Sequence, residues 1–107
     1  MGFGRERDRM ANMRNQETDR LFQAVLALKS VEECYRFFED ACTIKEIREI
    51  AQRFQVACAL DAGKNYQEVN KETGASTATI CRVNKCLNYG DGGYRTVIDR
   101  MKEEGTL

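Results

Sequence analysis

Between Asn65 and Leu87 the side chains with chemistry to offer are short and polar. They are the hydroxyls of Ser76, Thr77 and Thr79, the thiols of Cys81 and Cys86, and the cations of Arg82 and Lys85, all following a Gly74-Ala75 pair. They do not make a nucleophile site. The chain contains no histidine, so Ser76 has no general base to activate it. Cys81 and Cys86 stand five residues apart and would not share a helix face as a chelating pair. The five cysteines (Cys34, Cys42, Cys58, Cys81, Cys86) show no CxxC spacing, so no zinc site of the usual kinds is expected. No metal, no cofactor and no enzymatic activity are expected. What these residue types can do is recognise. The Thr77 hydroxyl and the Ala78 methyl suit base edges in a DNA major groove, and Arg82 and Lys85 suit phosphates.

The elements that must position them follow from the spacing. Asn65 can cap a short helix whose inward residue is Val69. Gly74 falls where the chain must leave that helix steeply, in a left-handed conformation that costs glycine little. Ala75 is small enough for the corner, and Ser76 caps a second helix. Ile80, Val83 and Leu87, at spacings of three and four, turn inward, leaving Thr77, Ala78, Cys81, Arg82 and Lys85 outward. This is the pattern of a helix-turn-helix over about 65–88. The alternative is a helical hairpin with no ligand, against which stand the turn glycine, the serine cap and the aligned Val69/Ile80 pair.

The rest of the chain reads as helix. Residues 1–16 alternate charge with Gly and Asn and are expected to be a flexible, mildly basic arm. From Glu17, Leu21, Phe22, Val25 and Leu26 mark a first amphipathic helix ending near Lys29. Ser30 with Glu33, and Thr43 with Glu46, are capping boxes that open a second and a third helix. The third is expected to bury Ile47, Ile50, Ala51, Phe54, Ala57 and Cys58 and to end at Gly63. After the helix-turn-helix, 88–93 is a glycine-rich loop and Tyr94 to Glu103 a last helix with Tyr94, Val97, Ile98 and Met101 on one face. The expected fold class is all-α with six helices.

Composition limits the partners. Lys+Arg 17 against Asp+Glu 17 gives no basic excess to hold nucleic acid unspecifically, so DNA affinity must come from local patches. No apolar run spans a bilayer and no signal-peptide pattern follows Met1, so no membrane partner and a cytoplasmic location are expected. The cysteines are expected to be small buried apolar side chains in a reducing compartment. At 107 residues the chain buries only a modest core alone, and the apolar faces carrying Phe22, Leu26, Phe37 and Phe38 suggest a homodimer.

The segments TIKEIREIAQR (43–53) and ETGASTATICR (72–82) resemble the start of the central helix and the helix-turn-helix of the tryptophan repressor family. The likeness, covering about Glu17 to Glu103, is greatest to the Trp-repressor-related YerC/YecD type of Gram-positive bacteria. It implies an intertwined homodimer that presents two recognition helices to a palindromic operator in double-stranded DNA, as a transcriptional regulator and expected repressor. It also implies an effector pocket between the central and recognition helices, onto which Thr43, Arg53, Thr79 and Arg82 map. Val83 stands where the family has a glycine that makes room for the indole, and Cys86 where it has a serine hydroxyl, so tryptophan is not the expected effector. Arg53 and Arg82 could equally be surface arginines bonded to carboxylates. Gln67 and Asn70 stand where the family carries basic residues on its DNA face; they join Ser76, Thr77, Ala78, Cys81, Arg82 and Lys85 in the expected DNA-binding set. The neutral charge and those two replacements keep a second possibility open, a protein-interaction module that has lost DNA binding.

Overall fold

The computed structural model describes residues 14–107, and these form six α-helices and no strand. The described chain divides into two compact units, one reaching Ile47 and one running from Arg48 to Leu107.

In the first unit, α1 spans Gln16–Leu26 and α2 spans Val31–Ala41. Asn15 Oδ1 accepts from the Thr18 N–H at 2.8 Å and so opens α1. The expected arm therefore ends one residue early, since Gln16 is already helical, and most of it lies outside the described residues. α1 stops at Leu26 rather than near Lys29. The Ser30 hydroxyl accepts from the Glu33 N–H at 3.1 Å, but the Glu33 carboxylate takes the N–H of Lys29, not that of Ser30. Lys29 is thus held in the approach to α2 and cannot extend α1. Thr43 and Glu46 make the full reciprocal box that opens α3 (Ile44–Asp61), with bonds of 2.8 and 3.1 Å. The Thr43 backbone N–H, followed by its hydroxyl, holds the Glu46 carboxyl below its usual range. Neither α1 nor α2 has a buried residue; Phe37 and Phe38, half-buried, meet edge to face with centroids 5.3 Å apart.

The second unit holds α4 (Tyr66–Thr73), α5 (Thr77–Tyr89) and α6 (Gly93–Glu103) against the later turns of α3. Its core is Val56, Ala57, Ala59, Val69, Ala75, Ile80, Val83, Leu87 and Ile98, with Phe54, Cys58, Leu60 and Tyr94 packed around it. The expected stripe on α3 is therefore wrong in part. Ile50 is 52% exposed and Ala51 is open, while Val56 is fully buried. Apolar residues lie on more than one side of α3, and the crossing helices of this unit select the Val56/Ala59 side of the later turns. Val97 of α6 is also open, unlike its neighbour Ile98. α5 runs to Tyr89, into the expected loop. Gly90 ends it, and a Cβ there would lie 2.5 Å from the Cys86 carbonyl oxygen, a contact only glycine avoids. Nor are the cysteines core residues: all five are free, four half-buried and Cys81 exposed.

At the end of α3, Asp61 joins α6 electrostatically. Its side chain is only 8% exposed and accepts from Lys102 Nζ at 2.5 Å and from Arg95 Nη1. These bonds, Lys102 first and Arg95 second, hold the Asp61 carboxyl below its usual range. Because folding depresses this carboxyl, its contribution is complete above the unfolded value of about 4 and disappears as pH falls through the lower folded value. Asp61→Asn should cost about 1–2 kcal/mol at neutral pH, less than a fully buried pair because both cations are partly exposed. Urea midpoints at pH 7 and pH 3 check this; the difference between the two proteins should shrink at the acid end.

Candidate nucleic-acid interface

α4 and α5 are set by local hydrogen bonds that their sequence encodes. Asn65 Oδ1 accepts from the Glu68 N–H at 2.9 Å and the Glu68 carboxylate accepts from the Asn65 N–H at 3.3 Å, a complete capping box. At the other end Gly74 adopts φ +72°, the left-handed cap. The corner is tied by side chains on both sides of it. The Thr73 hydroxyl donates to the Val69 carbonyl at 2.7 Å and accepts from the Ala75 N–H at 3.2 Å. Asn70 Nδ2 donates to the Ala75 carbonyl at 2.8 Å, and Gln52 Nε2 reaches from α3 to the Thr73 carbonyl at 3.1 Å. Ser76 caps α5 by accepting from the Thr79 N–H at 3.2 Å. Val69, Ala75, Ile80 and Val83 are all buried to 1% exposure or less, which fixes how the two helices cross.

The side chains expected to meet DNA are all on the outside. Gln67 and Asn70 on α4, Ser76 at the cap, and Thr77, Ala78, Cys81, Arg82 and Lys85 on α5 are exposed. Two of them carry structural duties as well: Ser76 is the cap, and the Asn70 amide holds the turn. A neighbour absent from that expected set, Tyr66, stands on the first turn of α4, 39% exposed, and its phenol is pushed above its usual value by desolvation and then by Cys81 of α5. Sequence spacing within one helix cannot show such a pairing, because it depends on the crossing of two. Thr73 was likewise silent, although a threonine just before a turn glycine is a fair hint.

The residues mapped to an effector pocket are more scattered in role. Thr43 is the N-cap of α3, in the first unit. Arg53, Thr79 and Cys86 are half-buried and Arg82 is exposed, all in the second unit. The Thr79 hydroxyl accepts from Ser76 at 3.1 Å. Val83 is a core residue, 1% exposed. A cavity of about 760 Å³ is lined by Arg48, Gln52, Cys58, Lys64 and Thr73 among others, and by none of the six mapped residues.

This helix order and this turn have known relatives. The profile of the Trp repressor protein family matches residues 16–102. The chain belongs to the Trp repressor family. Among its relatives is the uncharacterized protein YerC of Bacillus subtilis (strain 168), 54% identical over 94 residues that cover 88% of this chain and 90% of that one. Two solved structures share the fold. A candidate Trp repressor from Staphylococcus aureus superposes with a TM-score of 0.84 at 44% identity, covering 87% of this chain and 93% of the other. A TrpR-like protein from Eubacterium eligens superposes with a TM-score of 0.83 at 49% identity, covering 86% and 95%. Among the described residues, no helix of this Trp repressor family member is long and apolar enough to cross a membrane.

Proposed function

We propose that this chain is a homodimeric, sequence-specific DNA-binding regulator, a repressor that acts by binding in the cytoplasm and not by catalysis. The observation that carries the reading is the outer face of α5. Small exposed residues, Thr77 and Ala78, occupy the first turn, and they allow the helix backbone to approach a major groove closely. Arg82 and Lys85 stand one and two turns further on to meet phosphates. In this reading the DNA-binding domain is residues 17–107, with Gln16 already in the first turn of α1. Selection from a randomised double-stranded oligonucleotide library tests the reading. A palindromic motif should emerge with half-sites about one helical turn apart, roughly 34 Å. Failure to enrich any sequence would favour the protein-interaction module, which the equal numbers of acidic and basic residues also fit.

Dimerisation has its own support. Leu21, Phe22, Leu26, Val31 and Tyr35 of α1 and α2 are 44–84% exposed, a large apolar surface for so short a chain. A second copy of the chain would cover it. The thermal midpoint should then rise with protein concentration, each tenfold step adding about 1.4 kcal/mol to the stability of the dimer. A folded monomer at micromolar concentration in sedimentation would end this part of the reading.

A further inference from the structure

The cavity of about 760 Å³ lies wholly within the second unit and has the volume of a site for a small organic ligand. One face of α3 supplies much of it, through Arg48, Ala51, Gln52, Gln55, Cys58 and Ala59 at spacings of three and four. The alanines and Cys58 make that face apolar between its polar ends. The Cys58 thiol is pushed above its ordinary value by burial and then by Asp61, so it stays neutral. The charged walls nearly cancel. Lys64 Nζ lies 2.5 Å from the Glu72 carboxylate, and Lys102 Nζ lies 2.5 Å from that of Asp61. Arg48 is the third cation of the lining and is bonded to no carboxylate among the described residues. Three cations thus face two carboxylates, which leaves one guanidinium to pair with an anion. The cavity also reaches the corner of the helix-turn-helix. Gln52 Nε2 donates to the Thr73 carbonyl at 3.1 Å, and it stands 4.0 Å from where a Cβ on Gly74 would lie. An amide nitrogen carries two N–H groups, of which the Thr73 carbonyl takes one.

We propose that this cavity binds a small organic carboxylate with an apolar body, and that the bound carboxylate holds the corner of the helix-turn-helix through Gln52. Arg48 and Gln52 are one turn apart on the same face of α3, so one carboxylate can accept from both. The body of the ligand lies on Ala51, Cys58 and Ala59. With its second N–H engaged, the Gln52 amide stays in the orientation that bonds Thr73 and keeps the turn against α3. Ligand and operator then strengthen each other's binding, a step that rests on the DNA-binding reading above. The site shares no residue with the six mapped to the effector pocket of the family.

The probe is naphthoate, titrated into the full chain without DNA and followed by nitrogen-edited NMR. The side-chain amide of Gln52 and the backbone signals of Thr73 and Gly74 should move together, with half-saturation at about millimolar concentration or below for an anion of this size. Arg48→Ala should weaken the binding about tenfold, as loss of one charge-assisted hydrogen bond does. Ala51→Phe fills the apolar face from an exposed position and keeps every charge, and it should weaken naphthoate by a similar factor. Inorganic phosphate, which has no apolar body, should bind at least about tenfold more weakly than naphthoate. No saturation by about 10 mM naphthoate, ten times the expected range, overturns the proposal. So does binding that is indifferent to both substitutions, shifts confined to α1 and α2, or phosphate bound as tightly as naphthoate. The coupling is read by gel shift on the selected operator. Saturating naphthoate should tighten wild-type binding about fivefold or more and leave Gln52→Met, which has no N–H to give, unchanged. An operator affinity that naphthoate does not alter, or raises equally in Gln52→Met, overturns the role of Gln52. If wild type binds no duplex, the DNA-binding reading has failed, and the NMR titration decides the site by itself.

Discussion

Ala78→Glu is expected to abolish binding to the selected operator while leaving the helix-turn-helix folded. Ala78 is the second residue of α5, exposed, next to the Ser76 cap. A carboxylate in the first turn of a helix is favourable to the helix itself, because it faces the positive end of the helix dipole. The fold therefore loses nothing, and the circular dichroism spectrum and thermal midpoint should match the wild type or slightly exceed it. On DNA the same carboxylate would replace a methyl group at close approach to base edges and phosphates. Like charges in that setting cost several kcal/mol, which is a loss of more than about a hundredfold in affinity. Lys85→Ala is the informative contrast. It should weaken all sequences alike and lower the salt slope by about one unit, as removal of a single phosphate contact does. If Ala78→Glu bound the operator as well as wild type in a gel shift, α5 would not be the recognition helix.

The caps were legible before any coordinates because they are local. Ser30, Thr43, Asn65 and Ser76 each bond a backbone N–H three residues on, so residue type and spacing carry the information. The αL conformation of Gly74 was legible for the same reason. Where a second element takes part, legibility falls. The choice of Val56 over Ile50 as a core residue depends on which side of α3 is crossed by the later helices, and apolar residues lie on more than one side. The cysteines misled because their residue type is commonly buried, whereas here the fold leaves none of them inside. Asn70 belongs to the expected DNA-binding set by its position in the family pattern, yet its amide is spent in part on the Ala75 carbonyl. Tyr66 is not legible at all, since the Cys81 that acts on its phenol lies on another helix. The helix-turn-helix could thus be recognised from one segment, but the division of labour among its polar side chains could not.

L-tryptophan is expected not to bind this chain below about millimolar concentration, and Val83 is the main reason. Its side chain is 1% exposed and belongs to the same buried cluster as Val56 of α3 and Ile80 of α5. The family resemblance implies a glycine at this position, where the absence of a side chain admits an indole. Forcing a ring against a packed valine costs on the order of 1–3 kcal/mol. Cys86, half-buried, stands where the same resemblance implies a serine hydroxyl and is a weaker hydrogen-bond partner, a loss of about 0.5–1.5 kcal/mol more. At the upper end these losses reach about 4 kcal/mol, which turns a micromolar ligand into a millimolar one. The buried position of Val83 adds a consequence for any attempt to reopen the space. Val83→Gly removes a core side chain and places glycine inside α5, so it should cost about 3 kcal/mol in urea denaturation. If that change creates room for the indole, tryptophan at millimolar concentration should recover part of the loss in Val83→Gly combined with Cys86→Ser, while leaving the wild-type midpoint unmoved. Calorimetric titration of the wild type reads the first claim directly. Micromolar binding there would mean that Val83 yields its place in the core to the ligand, and would return the chain to the tryptophan-responsive members of its family.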